Sequence, residues 1–193
     1  WIQGNRLFVA DTQFHRVLIW NSFPTSNNQP PDVVLGQPDF NSTRPANILD
    51  DDIAVAASNM LNPVSVSSDG VRLFVADLGH NRVLIWNSIP TANNQPADLV
   101  IGQPDLTSPE SRYSNNSSRL CEAEGVDDED NPIYPTRCGK TLSLPRFVLS
   151  DGEKLFIADG GNDRVLIFNN IPVSNAAAAD VVLGQPDEFR NIV

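Results

Sequence analysis

Two cysteines, one methionine and no long apolar run set the first limits on this 193-residue sequence. A membrane-spanning helix needs about 18 or more consecutive apolar residues, and none of the hydrophobic stretches approaches that. Basic residues are scarce: 13 Lys and Arg stand against 24 Asp and Glu, a formal charge of 13 − 24 = −11. A phosphate backbone or an anionic lipid surface attracts a basic face, so this balance argues against general nucleic-acid or membrane-surface binding. Fifteen prolines and eleven glycines leave little room for long helices. No Gly-x-Ser-x-Gly elbow, glycine-rich phosphate loop or His pair at metal-ligand spacing occurs, so nucleophilic hydrolysis and a metal site have no local support. An initiator Met and a signal peptide are also missing. The sequence starts at Trp1 inside a pattern that later recurs whole, which reads as a fragment or processed product and says nothing about secretion. With 40% apolar and 19% charged residues, the chain is of globular and not disordered composition.

What is present is a repeat. Gly4–Asp39 reads GNRLFVADTQFHRVLIWNSFPTSNNQPPDVVLGQPD, and Gly70–Asp105 matches it at 26 of 36 positions. A third copy runs Gly152–Asp187. From the Asp of each Ala-Asp to the Gly of each Gly-Gln-Pro-Asp is 25 residues in all three copies (11 to 36, 77 to 102, 159 to 184). The period, however, is 66 and then 82, and the extra 16 residues all lie between one Gly-Gln-Pro-Asp and the next copy. A constant core with one elastic segment is the mark of a modular fold whose insertions collect in one place.

Each copy holds short apolar runs bounded by turn chemistry: Arg6–Ala10, Arg16–Trp20 and Asp32–Leu35 in the first. Their length and β-branched, aromatic content favour strands. A further run, Asn62–Val66 or Leu144–Val148, precedes the second and third copies and is followed by Ser-Asp-Gly, a turn signal. The unit is therefore four antiparallel strands, a to d. Nearly continuous apolar runs imply sheets covered on both faces. Four-stranded sheets stacked around an axis, a β-propeller, meet that need, so the predicted fold class is all-β.

These residues resemble the NHL-repeat family. The match lies in the Pro-x-x-Val of strand a, the Leu-Phe-Val-Ala-Asp of strand b, and Asp-x4-Arg-Val leading into strand c, as in Asp11–Arg16, Asp77–Arg82 and Asp159–Arg164. The Gly-Gln-Pro-Asp endings are similar to bacterial extracytoplasmic members. On this reading residues 1–193 are a partial NHL propeller: blade 1 at 1–39 without strand a, blade 2 at 62–105, blade 3 at 144–187, with insertions at 40–61 and 106–143. That is eleven strands and three blades out of the six implied by the resemblance. A ring needs about four to eight blades, so the rest of the chain or another chain is expected to complete it.

The regular charged pairs Asp11/Arg16, Asp77/Arg82 and Asp159/Arg164 each flank a b–c turn, where carboxylate and guanidinium can meet. Catalysis would need one copy to differ, and none does; a structural pairing is expected. His15 and His80 sit at adjacent, non-equivalent turn positions and read as exposed polar residues, not ligands. Trp20, Trp86 and Phe168 share one position at the end of strand c and read as blade packing, not as a sugar platform.

Cys121 and Cys138 fall inside the longer insertion with 16 residues between them. In a loop with no metal partner they read as one disulfide, the alternative being two free thiols in a cytosolic protein. A bond places the protein in an oxidising setting: periplasm, cell surface or medium. Between them lie Glu122, Glu124, Asp127, Asp128, Glu129 and Asp130; Asp50, Asp51 and Asp52 form a shorter cluster in the first insertion. Calcium is a candidate at Asp127, Asp128 and Asp130, though neither cluster follows the alternating calcium-loop pattern, and a solvated acidic loop is the plainer reading. No other cofactor is indicated.

The d–a connections and b–c turns should share one propeller end, with the variable segments crowding it. Loops on a rigid scaffold commonly carry binding. The functional expectation is a non-catalytic, extracytoplasmic binding or assembly module recognising a protein or glycan. The alternative implied by six-bladed relatives is a metal-dependent lyase or lactonase with its site in the central channel. RNA binding, known among NHL proteins, conflicts with the charge.

Overall fold

A computed structural model describes residues 1–42, 54–108 and 120–189. The chain is all-β. Sheet I comprises β1 (Ile2–Gln3), β2 (Arg6–Asp11), β3 (Arg16–Trp20) and β4 (Val33–Leu35). Sheet II comprises β5 (Pro63–Ser68), β6 (Leu73–Asp77), β7 (Arg82–Trp86) and β8 (Leu99–Ile101). A two-stranded hairpin, β9 (Gly125–Val126) with β10 (Pro132–Ile133), precedes sheet III, which holds β11 (Pro145–Ser150), β12 (Leu155–Asp159), β13 (Arg164–Phe168) and β14 (Val181–Leu183). In each large sheet the strands pair antiparallel in chain order. The helical content among the described residues is three 3-10 turns of three residues each, one in every b–c turn.

One strand departs from the sequence expectation. The first unit does have strand a: Ile2 pairs with Leu7 and Gln3 with Arg6 across a tight turn at Gly4-Asn5. Gly4 reverses the chain at φ 59°, a conformation open to glycine, and Trp1 prolongs the pairing through its carbonyl, which accepts the Phe8 N–H at 2.9 Å. The three large sheets therefore contain twelve strands, not eleven. A two-residue strand is too short to register as an apolar run, so the reading of the sequence passed over it.

Alternation within each strand gives every sheet two apolar faces. Phe8, Val17, Ile19, Val33 and Leu35 of sheet I pack against Leu73, Val75, Leu84, Trp86 and Val100 of sheet II. The opposite face of sheet II, with Phe74, Ala76, Val83, Ile85 and Ile101, packs against Leu155, Ile157, Leu166 and Phe168 of sheet III. Sheet II is thus covered on both sides, and its β6 and β7 are buried at every residue. Trp86 and Phe168 are fully interior, while Trp20, on the outward side of sheet I, is half-buried. At full burial each such side chain contributes about 1.5–3 kcal/mol or more of transfer free energy, which makes the intersheet layers the main source of stability.

Candidate functional site

The end of the sheets where the b–c turns lie is built around three ion pairs. Arg16, Arg82 and Arg164 each donate Nε to Oδ2 of Asp11, Asp77 and Asp159 at 2.8 Å. In sheets II and III both side chains are fully buried; in sheet I the Asp11 and Arg16 side chains are 25% and 15% exposed. A buried carboxylate survives only with its lone pairs satisfied. Asp77 and Asp159 meet that need: their Oδ1 atoms accept the Leu61 and Ser143 N–H groups from the incoming connection, each at 2.7 Å.

The arginines reach outward from these pairs and hold the connections on either side. Arg82 donates to the Leu106, Ala56 and Asn59 carbonyls at 2.9–3.0 Å. Arg164 repeats the pattern on Glu188, Cys138 and Thr141 at 2.7–3.0 Å. Each guanidinium therefore ties the connection arriving from the previous sheet to the one leaving its own. The fork of fixed donors explains why every copy uses Arg and not Lys.

The Gly-Gln-Pro-Asp endings belong to the same construction. Gly36, Gly102 and Gly184 adopt φ of 87–92° and lie against the b–c turn, where a Cβ would come within 2.6–2.9 Å of the carbonyl of His15, Asn81 or Asp163. The following glutamines donate to that turn: Gln37 to the Phe14 carbonyl and Gln103 to that of His80, both at 3.1 Å. The aspartates then cap the next bend, Asp39 accepting from the Asn41 and Ser42 N–H groups and Asp105 from that of Thr107. Sequence reasoning found the motif but not its role; its invariant 25-residue distance from the turn Asp was the available signal.

Both histidines are half-buried and hydrogen-bonded, which corrects their reading as exposed polar residues. His80 Nδ1 lies 2.9 Å from Asp77 Oδ2, the place that Asn162 Nδ2 takes on Asp159 at 2.8 Å. His15 Nδ1 accepts the Asn62 N–H at 3.0 Å, as Asn81 Oδ1 accepts that of Leu144 at 2.9 Å. His15, Asn81 and Asp163 all close the turn in the left-handed region, with φ of 50–54°, which His, Asn and Asp enter more readily than most residues. The two histidines are therefore different parts of one repeated joint. Burial lowers the His15 pKa below its ordinary value, outweighing the pull of Asp77. Burial also pushes the Asp159 carboxyl up, against Asn162, the Ser143 N–H and Arg164. At Asp77 the same burial is overcome by His80 and Arg82, and the carboxyl lies below its usual value.

On this end stands the insertion lobe. Cys121 and Cys138 form a disulfide with a Cα–Cα distance of 5.8 Å. Glu122 and Glu124 lead from Cys121 into the β9–β10 hairpin, whose connection holds Asp127, Asp128, Glu129 and Asp130, and all six are exposed. The lobe's root is fixed by the Arg164 bonds to Cys138 and Thr141 and by the Ala179 N–H donated to the Gly139 carbonyl at 2.9 Å. Of the calcium candidates, Asp127 is engaged in the hairpin turn, accepting from the backbone N–H groups of Glu129 and Asn131 and from the Asn131 amide. These bonds, from Asn131 foremost, hold its pKa below the ordinary range. Asp128 and Asp130 are not brought together with it as a metal centre: among the described residues no three His, Cys, Asp or Glu side chains are grouped to hold an ion. Asp50, Asp51 and Asp52 lie outside the described residues. No described helix is long and apolar enough to cross a membrane. Comparison with protein-family models and with curated proteins returns no match.

Proposed function

We propose that the chain is part of an NHL-type β-propeller that acts as a non-catalytic, extracytoplasmic binding or assembly scaffold, recognising a protein or glycan through the loops at its b–c end. The observation that carries this reading is the division of labour at that end. Every constant residue of the turn, Asp, Arg and the Gly-Gln of the strand-d ending, is consumed in anchoring. Residues 122–133 of the variable insertion, by contrast, are all exposed. A lobe with six carboxylates in nine residues favours partners that present cationic groups. The disulfide supports an oxidising compartment, because such bonds are rare in cytosolic proteins.

The test compares the intact chain with one in which residues 122–137 are replaced by a short Gly-Ser linker and both cysteines by Ala. Both are probed with an oligosaccharide array and with a set of basic peptides at physiological salt. Ligands retained by the intact chain and lost by at least tenfold from the shortened one support recognition through the lobe. Equal retention by both overturns it.

A further inference from the structure

One hydrogen bond is made twice between neighbouring sheets, once to a group that titrates and once to a group that does not. Where sheet I meets sheet II, His15 Nδ1 accepts the Asn62 N–H at 3.0 Å; where sheet II meets sheet III, Asn81 Oδ1 accepts the Leu144 N–H at 2.9 Å. The backbones match. His15 and Asn81 close their turns at φ 54° and 51°, and Asn62 and Leu144 lead into β5 and β11 at φ 53° and 48°. Only the acceptor atom differs. An amide oxygen accepts at any pH, whereas a ring nitrogen that takes a proton becomes a donor. A protonated His15 Nδ1 therefore faces the Asn62 N–H donor to donor, and the bond is lost.

The groups around the ring are already engaged. Across the joint the charges that act on His15 are Asp77, which favours its protonation, and His80, which opposes it. Asp77 is occupied on both oxygens: Oδ1 accepts the Leu61 N–H, and Oδ2 meets Arg82 Nε and His80 Nδ1. Arg82 is held between Asp77 and the Ala56 and Asn59 carbonyls. On its own turn the neighbouring charges are Asp11 and Arg16, paired with each other at 2.8 Å. Residues 54–62, the connection that the ring holds, carry no titratable side chain. Burial is the largest influence on the ring and disfavours its charged form.

We propose that His15 is an acid-released latch: when its Nδ1 takes a proton from solvent, the bond from the Asn62 N–H breaks and the chain entering β5 detaches from the first b–c turn, while the Asn81–Leu144 bond holds. The release is local and does not part the sheets. Arg82 still holds Ala56 and Asn59, and Thr12 Oγ1 still donates to the Pro63 carbonyl at 2.7 Å. The loop-bearing end is thereby divided by pH. Acid loosens the first connection and leaves the root of the disulfide lobe, bonded to Arg164 through Cys138 and Thr141, in place.

Hydrogen exchange of the unaltered protein tests it, read at single amides by NMR from pH 8 to 5.5 and corrected for intrinsic exchange. Protection of the Asn62 N–H should fall about two- to tenfold, because the released ring titrates near 6.5 and the latched ring below that value. Protection of the Leu144 N–H should stay level. In His15→Asn, which supplies the acceptor that Asn81 already provides at the other joint, Asn62 protection should stay level too. The imidazole 15N shifts of the unaltered protein give a readout that needs no variant. At pH 8 the His15 ring should carry its proton on Nε2, and the Asn62 amide shift should follow the titration of the ring. Level protection at Asn62, equal losses at Asn62 and Leu144, a pH response that survives in His15→Asn, or a ring protonated on Nδ1 at pH 8 each overturns the inference. Ligand binding by the lobe plays no part in these measurements, so this proposal and the functional one fail separately.

Discussion

Replacing Arg164 by Met tests how the loop-bearing end is held. The substitution keeps most of the apolar stem but removes the cation that bonds Asp159, whose side chain is fully buried. Stranding a buried carboxylate costs about 3–5 kcal/mol, and the Cys138, Thr141 and Glu188 carbonyls lose their donor at the same time. Because native domains are stable by about 5–15 kcal/mol, the urea midpoint should fall by about a fifth or more. The cost should depend on pH with a defined sign. Burial already raises the Asp159 pKa with Arg164 in place; without the guanidinium it rises further above the unfolded value of about 3.9. The folded variant then holds a proton that the unfolded chain releases, so its stability is greatest in acid and falls as pH rises through the folded pKa. The penalty relative to the unaltered chain should be larger at pH 7.5 than at pH 5. Adding Asp159→Asn removes the charge and should abolish that pH dependence, leaving only the cost of the unbonded carbonyls. A loss below about 1 kcal/mol, or a penalty unchanged by Asp159→Asn, would refute the argument that charge burial governs this joint.

Three further outcomes are expected. His15→Asn keeps an acceptor for the Asn62 N–H in a left-handed turn residue, as Asn81 shows, but removes the titrating ring. The folded pKa of His15 is below the ordinary 6.5, so its contribution is complete above that value and declines as pH falls below it; denaturation from pH 8 to 5 should show a shallower loss in His15→Asn. Gly102→Ala puts a Cβ within 2.7 Å of the Asn81 carbonyl at φ +92° and should cost about 2 kcal/mol or more, whereas Gly125→Ala, with nothing within 4 Å, should stay within about 0.5 kcal/mol by thermal denaturation. Reducing the Cys121–Cys138 bond should cost less than the ~3 kcal/mol of the loop-entropy model, because the lobe melts locally; hydrogen exchange should quicken at the Glu124 N–H, which bonds the Ile133 carbonyl, and stay slow in β6 and β7.

The repeated sheets were legible because three aligned copies show where apolar runs recur, and the burial of Val17, Val83, Leu155 and Leu166 follows that alternation. Likewise the turn pairs were legible because Asp and Arg recur at one spacing. Strand β1 was not, since two residues carry no periodicity and are positioned by pairing with β2. The histidines misled for a different reason. Their roles depend on which turn atom faces the neighbouring sheet, and chemically different side chains, His80 and Asn162 or His15 and Asn81, fill the same place. Residue identity alone hides an equivalence that is set by the position of a hydrogen-bonding atom.

That interchange bears on how the loop end can vary. The joint between sheets requires one acceptor for the next connection's N–H, one carboxylate, and one fork of donors; it does not require particular side chains at the remaining turn positions. Thr12, Leu78 and Gly160 begin the three 3-10 turns with different chemistry on the same backbone path. The connection then leaves with its carbonyls already held by Arg82 or Arg164, so residues added beyond those anchors do not disturb the sheets. The 16-residue difference between the two periods is tolerated for this reason: extending a loop costs only about 0.6 kcal/mol per doubling in closure entropy. The disulfide is placed between that root and the exposed hairpin, where the Arg164 anchoring ends and the lobe has little apolar area to hold it. Variation and covalent bracing therefore begin where the repeated hydrogen-bond network stops.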